Sequence, residues 1–398
     1  MCCHLGAREH YAIPRALHAR TRLLRMITDA WVAPGAALSH LPGEWSRRLA
    51  ERFHPDLGDA DVQAFTPSLV AHEALWRVEP AGWTQLMRRN EWFGRRAAKA
   101  LDSVNAPGGS PVIVCAHSYS AREVFIAAKA RQWMTVLAQI DPGEEHCRIV
   151  HEAASERPEY GPPPSEPPAA YFESWREECR LADWILVNSE WSKASLERAG
   201  VPAVKLRVVP LAYEPETATT FSREYPSAFT PERPLRVLFV GHASVAKGAA
   251  ALLESLAALD NVPVAMTFVG EEMMHVPTRF REHARVRWVG AVSRSAVMQH
   301  YRDNDVLVFP SLSDGFGMAQ VEAQAWSLPI VASTSCGRVV EHDVNGLLLD
   351  EVSPRAVAGA LRQLVSNPRL LDSFARHARP QSSIGSDLAS ALVSLEPS

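Results

Sequence analysis

The sequence predicts an α/β protein built from two Rossmann-like domains in series. Three observations carry that reading. Apolar runs of strand length alternate with helical patterns along the whole chain, the signature of parallel sheets with crossover helices. A polar, proline-punctuated stretch without periodicity, residues 217–234, divides the alternation into two sets. A length of 398 residues exceeds what one ordinary core supports.

In the first set the expected strands are Cys2 to Leu5, Leu23 to Ile27, Val112 to Ala116, Met134 to Ile140, Trp184 to Val187 and Leu206 to Val209. In the second they are Leu235 to Val240, Val264 to Val269, Val286 to Val289, Asp305 to Phe309, Ile330 to Ala332 and Gly346 to Leu349. The domains implied are 1–215 and 234–380, joined by a linker at 216–233 and followed by a tail, 381–398. Met1 lies almost on the first strand, so a start further upstream or a shortened strand is expected. "ERPEYGPPPSEPPAA", Glu156 to Ala170, is too rich in proline for helix or strand and reads as an extended surface loop, either functional or a plain insertion.

Composition narrows the function. A formal charge of -4 on a chain of this size argues against a dedicated nucleic-acid binder. The longest apolar stretch, Ala249 to Leu259, is broken by Glu254 and falls short of the roughly 20 residues of a membrane span. The start has no basic segment followed by an apolar one, so no secretory signal is expected and the protein is placed in the cytoplasm. Six cysteines, with no CxxC and no His/Cys cluster at ligand spacing, read as reduced thiols rather than a metal site.

"SDGFGMAQVEAQA", Ser313 to Ala325, lies between two strands of the second set and forms the turn and helix of a βαβ unit. Gly315 and Gly317 allow a ligand close to the backbone, and the N–H groups at the helix start suit sugar hydroxyls or a phosphate. Glu322 sits among Met318, Ala325 and Trp326, where an unpaired carboxylate is costly; it needs a donor, which a ribose diol would supply, unless it is simply a surface residue. The near match to GxGxxG raises a nicotinamide or flavin site, but Gln320 stands at the third glycine and Ser333 ends the next strand where an acid would hold a ribose. Upstream, Lys247 stands at the mouth of a helix, against the macrodipole, a position that a bound anion would favour and that a solvated lysine also tolerates.

Gly241 with Lys247-Gly248, "VRWVG", "DVLVFPSLSDGFGMAQVEAQAWSLPIVAS" and "GLLL" together resemble the nucleotide-sugar domain of family 4 glycosyltransferases, and "ADWILVNSEWSKASLERAGVPAVKLRVVPLAYE" resembles a segment of their first domain. The resemblance covers roughly residues 110–370. It implies the GT-B fold, two Rossmann-like domains facing each other across a cleft, with the tail crossing back to the first. It implies a retaining, metal-independent transfer of a hexose from a nucleoside diphosphate sugar to a carbohydrate, lipid-linked or small-molecule acceptor, with no further cofactor. The family's Glu-x7-Glu motif is here Asp314 and Glu322. Glu322 would hold the ribose; Lys247 would bind the diphosphate; Asp314 with the backbone of Gly315, Phe316 and Gly317 would grip the sugar. Gly241, His242 and Val292 complete the donor set. His117, ending "VIVCAH", matches a histidine beside the donor sugar, though alone it would read as structural. The departing phosphate takes the acceptor's proton, so no dedicated base is required. Two Asp-x-Asp sequences, Asp59 to Asp61 and Asp303 to Asp305, lie away from the expected cleft.

Where the family often carries an arginine, this chain has His242 and Ala246. A neutral imidazole stabilises a diphosphate less than a guanidinium does, which opens an alternative: a weak or silent relative that binds a nucleotide sugar or a partner. For the acceptor, Arg8, Glu9, His10 and Tyr11 follow the first strand and should open onto the cleft, or else form a polar loop capping the next helix. "LMRRNEWFGRRAAK" carries Arg88, Arg89, Trp92, Arg95 and Arg96, which would suit peripheral contact with an anionic membrane; the competing reading packs its aromatic face on the sheet.

Overall fold

The computed structural model describes residues 1–36, 49, 51–76, 82–104, 111–211, 213 and 221–378. Two all-parallel sheets form. The first holds β1 (Cys2–His4), β2 (Met26–Thr28), β3 (Val62–Ala64), β4 (Ile113–His117), β5 (Met134–Ala138), β6 (Trp184–Val187) and β7 (Leu206–Val208), in the order β3-β2-β1-β4-β5-β6-β7. The second holds β8 (Leu235–Val240), β9 (Val264–Val269), β10 (Val286–Gly290), β11 (Val306–Phe309), β12 (Ile330–Ser333) and β13 (Gly346–Leu349), in the order β10-β9-β8-β11-β12-β13. This is the GT-B architecture.

All twelve expected strands form, and one was missed. β3 is "VQA", half-buried at the sheet edge, with too little apolar sequence to be read as a strand. The second strand runs Met26–Thr28 rather than from Leu23, because Met26, Ile27 and Thr28 are the residues buried between β1 and β3. β1 is short yet pairs on both sides, with Met26 to Thr28 and with Cys115 and Ala116.

Each strand order reverses once, between β1 and β4 and between β8 and β11. Ligands of open α/β sheets bind beyond the strand ends at such reversals. The loops there contain residues 5–11 and 118–121 in the first sheet, and 241–248 and 310–317 in the second.

Part of the expected linker is bound rather than free. Arg223 donates to the carbonyls of Trp326 at 2.9 Å and Asn304 at 2.6 Å, and also to Tyr301. Arg233 and Arg236 both bond the buried carboxylate of Asp305. Asp305 therefore works as a brace for the start of the second sheet, while Asp303 accepts from Gln299 Nε2 at 2.6 Å. Asp59 and Asp61 pair with His18 and Arg25. The proline-rich loop is less extended than expected: Pro158–Tyr160 is a short 3-10 turn, and a helix begins at Ala169. Tyr160 is buried in the core of the second sheet, and its carbonyl accepts from His275 N at 2.8 Å. The tail, 381–398, lies outside the described residues.

In the helix Trp83–Ala100, Phe93 is fully buried and Trp92 packs against Phe65 and His72. Arg89 turns inward to the buried Asp29 at 3.3 Å, Arg95 pairs with Glu91, and Arg96 lies over Phe65 and Trp92. The aromatic face packs on the sheet, and Trp92 and Arg89 are used inside the fold. Among the described residues no helix is long and apolar enough to cross a membrane.

Candidate active site

The carboxyl ends of the two sheets enclose a cavity of about 360 Å³. Residues of both halves line it: Arg8, Glu9, Ile140 and Asn188 from the first, and Gly241, Lys247, Asp314, Phe316 and Gly317 from the second.

The first wall begins where β1 ends. Gly6 N donates to Asp29 at 3.0 Å, turning the chain into Arg8–Tyr11. Glu9, His10 and Tyr11 have φ of 49°, 49° and 59°, a left-handed run costing on the order of 1–3 kcal/mol per residue. The run sends neighbouring side chains to opposite destinations. Arg8 and Glu9 face the cavity, whereas Tyr11 is 1% exposed, its ring packed against His4 and Trp31. Tyr11 is thus a core residue rather than an acceptor contact, and His10 is exposed outside the cavity lining. Recession into the cleft pushes the Glu9 carboxyl up to about 7, against the pull of Arg8.

The facing wall follows β8 and β11. Gly248 has φ of 72°, and a Cβ there would lie 1.9 Å from the Pro310 carbonyl oxygen, so only glycine lets these two loops meet. Leu312 N donates to Ala246 O at 2.9 Å, tying them further. Across this seam Lys247 Nζ forms an ion pair with Asp314. The helix itself starts at Ala249, and the anion that favours Lys247 here is a side chain of the same half. In the turn, the Phe316 carbonyl accepts from Gly337 N at 2.8 Å and Gln320 Nε2 at 3.0 Å. Gln320, at the missing third glycine, is fully buried and holds the turn in place.

Glu322 has the donor its surroundings demand: Tyr301 Oη at 2.7 Å from Oε2. Burial and the Glu322 charge hold the phenol well above its ordinary range, so it stays a donor. Glu322 lies one helical turn beyond Met318, which lines the cavity.

His117 is placed differently from expectation. It is 2% exposed, does not line the cavity, and lies under His4 with ring centroids 4.1 Å apart. Burial, then His4 and Arg8, hold its pKa well below the usual range, so the ring is neutral. Neither ring nitrogen makes a well-formed hydrogen bond to a described residue, although the Cys3 backbone acts on it. His242 is exposed and outside the cavity lining, and Val292 packs half-buried against the core cluster that contains Tyr301.

Several contacts were not read from the sequence. Ser189 caps the helix Glu190–Arg198, accepting from Ser192 N at 3.0 Å, and also donates to Gly315 O at 2.6 Å. Ser192 Oγ reaches the same carbonyl at 3.2 Å, and Trp191 Nε1 reaches Ser313 Oγ at 3.2 Å. Gly315 is therefore a joint between the halves: a Cβ there would lie 2.7 Å from Ile140 O. Ile140 and Asn188 stand just past the carboxyl ends of β5 and β6, a position that would have flagged them.

Residues 222–381 match the family model "Glycosyl transferases group 1". A D-inositol 3-phosphate glycosyltransferase of Xylanimonas cellulosilytica is 31% identical over 193 residues, covering 42% of this chain and 45% of that protein. An uncharacterized 41.2 kDa protein in the cps region of Klebsiella pneumoniae is 26% identical over 175 residues, covering 43% of this chain and 49% of its own. The chain thus spans about half or less of these relatives. The structure of Anabaena Alr3699/HepE in complex with UDP superposes with a TM-score of 0.64 at 16% identity, covering 99% of this chain and 100% of that one.

Proposed function

We propose that the chain, whose residues 222–381 match the group 1 glycosyl transferases, is a retaining, metal-independent hexosyltransferase of family 4 using a nucleoside diphosphate sugar. The observation that carries the proposal is the meeting of Lys247 and Asp314 with Arg8 and Glu9 in one cavity between the halves.

In the proposed reaction the bond from the sugar's anomeric carbon to the diphosphate oxygen breaks, and the bond to the acceptor oxygen forms on the same face. The acceptor's proton passes to the departing phosphate. Lys247 exchanges its Asp314 partner for the diphosphate and stabilises the charge that grows on it. Electrostatic stabilisation of this kind is typically the largest catalytic contribution. Asp314, released, accepts hydrogen bonds from sugar hydroxyls, and Glu322, aimed by Tyr301, accepts from the ribose. Glu9 and Arg8 face the acceptor side.

Arg8 also bears on the alternative of a silent relative. With His242 turned to solvent, the cavity still holds Lys247, with Arg8 on the facing wall, so the missing guanidinium at 242 does not leave the site without a cation. Asp59, Asp61 and Asp305 of the two Asp-x-Asp sequences are engaged with basic partners away from the cavity, which supports fixed cations in the place of a metal.

The test is thermal stability against UDP, GDP, ADP, CDP and TDP, with NAD as the control, followed by turnover of the sugar conjugate of the responding base. A ligand at a hundred times its Kd adds about 2.7 kcal/mol. Stabilisation by one diphosphate with release of that diphosphate from its sugar conjugate is expected; stabilisation without turnover, restored by His242→Arg, would establish the silent relative instead.

A further inference from the structure

A second cavity, of about 820 Å³, opens in the first half beside the one already described. The two adjoin: Ile140 lines one and Asp141 the other, and His146 of the larger cavity feels the charges of Lys247 and Asp314. A space of this size is within the range of small-molecule sites, and nothing in the donor reading occupies it.

Its walls are of two kinds. One is aromatic: Tyr119 and Tyr171 stack at 4.7 Å and 12°, and Trp83 leans on Tyr171 at 5.0 Å. The other is the charged face of the helix Glu144–Ser155, where Arg176 pairs with Glu144 at 2.6 Å and Arg148 with Glu152 at 2.6 Å. The proline-rich loop closes the outside. Trp83 Nε1 donates to Ser165 O at 2.9 Å, and His151 Nδ1 meets Pro164 O at 3.2 Å. This gives the loop a task that the sequence left open: it is the outer wall of a binding groove.

We propose that this groove binds a saccharide portion of the acceptor, so that the acceptor is a glycan or glycoconjugate of more than one sugar ring; the inference rests on the glycosyltransferase reading above. A sugar ring has apolar C–H faces and a hydroxyl rim, matching an aromatic wall on one side and hydrogen-bonding carboxylates and guanidiniums on the other. The lining opposes other occupants. A lipid chain would desolvate the ion pairs without repayment. A phosphate-rich ligand would meet Asp141, Glu144, Glu152 and Glu166 against two arginines, Arg148 and Arg176. Continuity with the donor cavity places the far end of a bound glycan in the groove and its reacting end at Asp141 and Ile140.

The experiment is retention of the 398-residue chain on an immobilised array of oligosaccharides, alongside stabilisation by whichever nucleoside diphosphate the thermal test selects. Wild-type protein should bind a related set of glycans. Trp83→Ala, which removes the platform, should weaken that binding tenfold or more. Trp83→Phe, which keeps a ring but loses the bond to Ser165, should stay within about threefold of wild type. Diphosphate stabilisation in both variants reports on the fold and on the donor cavity separately, so its absence in wild type with glycans still retained would sink the glycosyltransferase reading, and the acceptor role with it, while leaving the groove a glycan site. No glycan retained by wild type, wild-type binding by Trp83→Ala, or an equal loss in both variants would overturn the groove.

Discussion

The Tyr301 hydroxyl donates to Oε2 of Glu322 at 2.7 Å, from a ring that is 1% exposed. The carboxylate is therefore aimed by a neighbouring helix before any ligand arrives. Tyr301→Phe should lower diphosphate affinity about three- to tenfold, the value of roughly one ordinary hydrogen bond, since the effect on the ligand is indirect. The same variant should narrow the preference for a ribose over a 2′-deoxyribose diphosphate, because the aim of the acceptor is lost and its charge is not. Calorimetric titration with both nucleotides checks this, and an unchanged preference would detach Glu322 from the ribose. Glu322→Ala should weaken both nucleotides further.

Lys247→Ala should reduce turnover at least about a hundredfold, the effect of removing one stabiliser of developing charge. Asp314→Asn separates the roles in that ion pair. It frees Lys247, so diphosphate affinity should hold or rise while turnover of the sugar conjugate falls. Steady-state kinetics beside diphosphate binding will read the split; parallel losses in both would mean that Asp314 only positions Lys247.

Gly248→Ala tests the seam between the Lys247 loop and the turn after β11. With φ at 72° and a Cβ 1.9 Å from a backbone oxygen, one loop must move. A cost of about 3 kcal/mol or more is expected, as for other incompatible backbone substitutions. Chemical denaturation measures it, and a change under about 1 kcal/mol would show that the two loops are not locked together.

A desolvated carboxyl lining the cavity, Glu9, and a buried imidazole, His117, pull the pH dependence of stability in opposite directions. Glu9 is raised in the fold to about 7, so its contribution is complete below its unfolded value and is lost as pH rises through the folded one. His117 is lowered, so its contribution is complete above its unfolded value, near 6.5, and is lost as pH falls below that. Between pH 4.5 and 7 wild type should therefore lose stability relative to Glu9→Gln and gain it relative to His117→Gln. Melting curves of the three proteins across that window check both signs; parallel profiles would contradict the burial of both groups.

The second half was legible almost strand by strand, because parallel strands covered on both faces are written as continuous apolar runs, such as "VLFV" and "VLVF". β3 was not, since an edge strand of three half-buried residues needs no such run. Lys247, Asp314 and the glycine turn were legible because their chemistry is local: a glycine where backbones meet, an acid near a helix start. Tyr11 and His117 were misjudged for one shared reason. Sequence position put both at a strand end that opens on the cleft, but three left-handed residues in succession, invisible in residue type, turn Tyr11 inward, and His4 lies over His117. Ser189 showed its local bond to Ser192 and hid its partner 126 positions away.

Gly315 has its carbonyl held by two serines of the opposite half and lacks room for a single methyl group beside Ile140. The turn proposed to offer its backbone to the sugar thus doubles as the latch between the halves. A side chain introduced at this one position would act as a doorstop, leaving the donor-binding half intact while preventing the halves from meeting. Recognition of the nucleotide and completion of the reaction could then be observed one without the other.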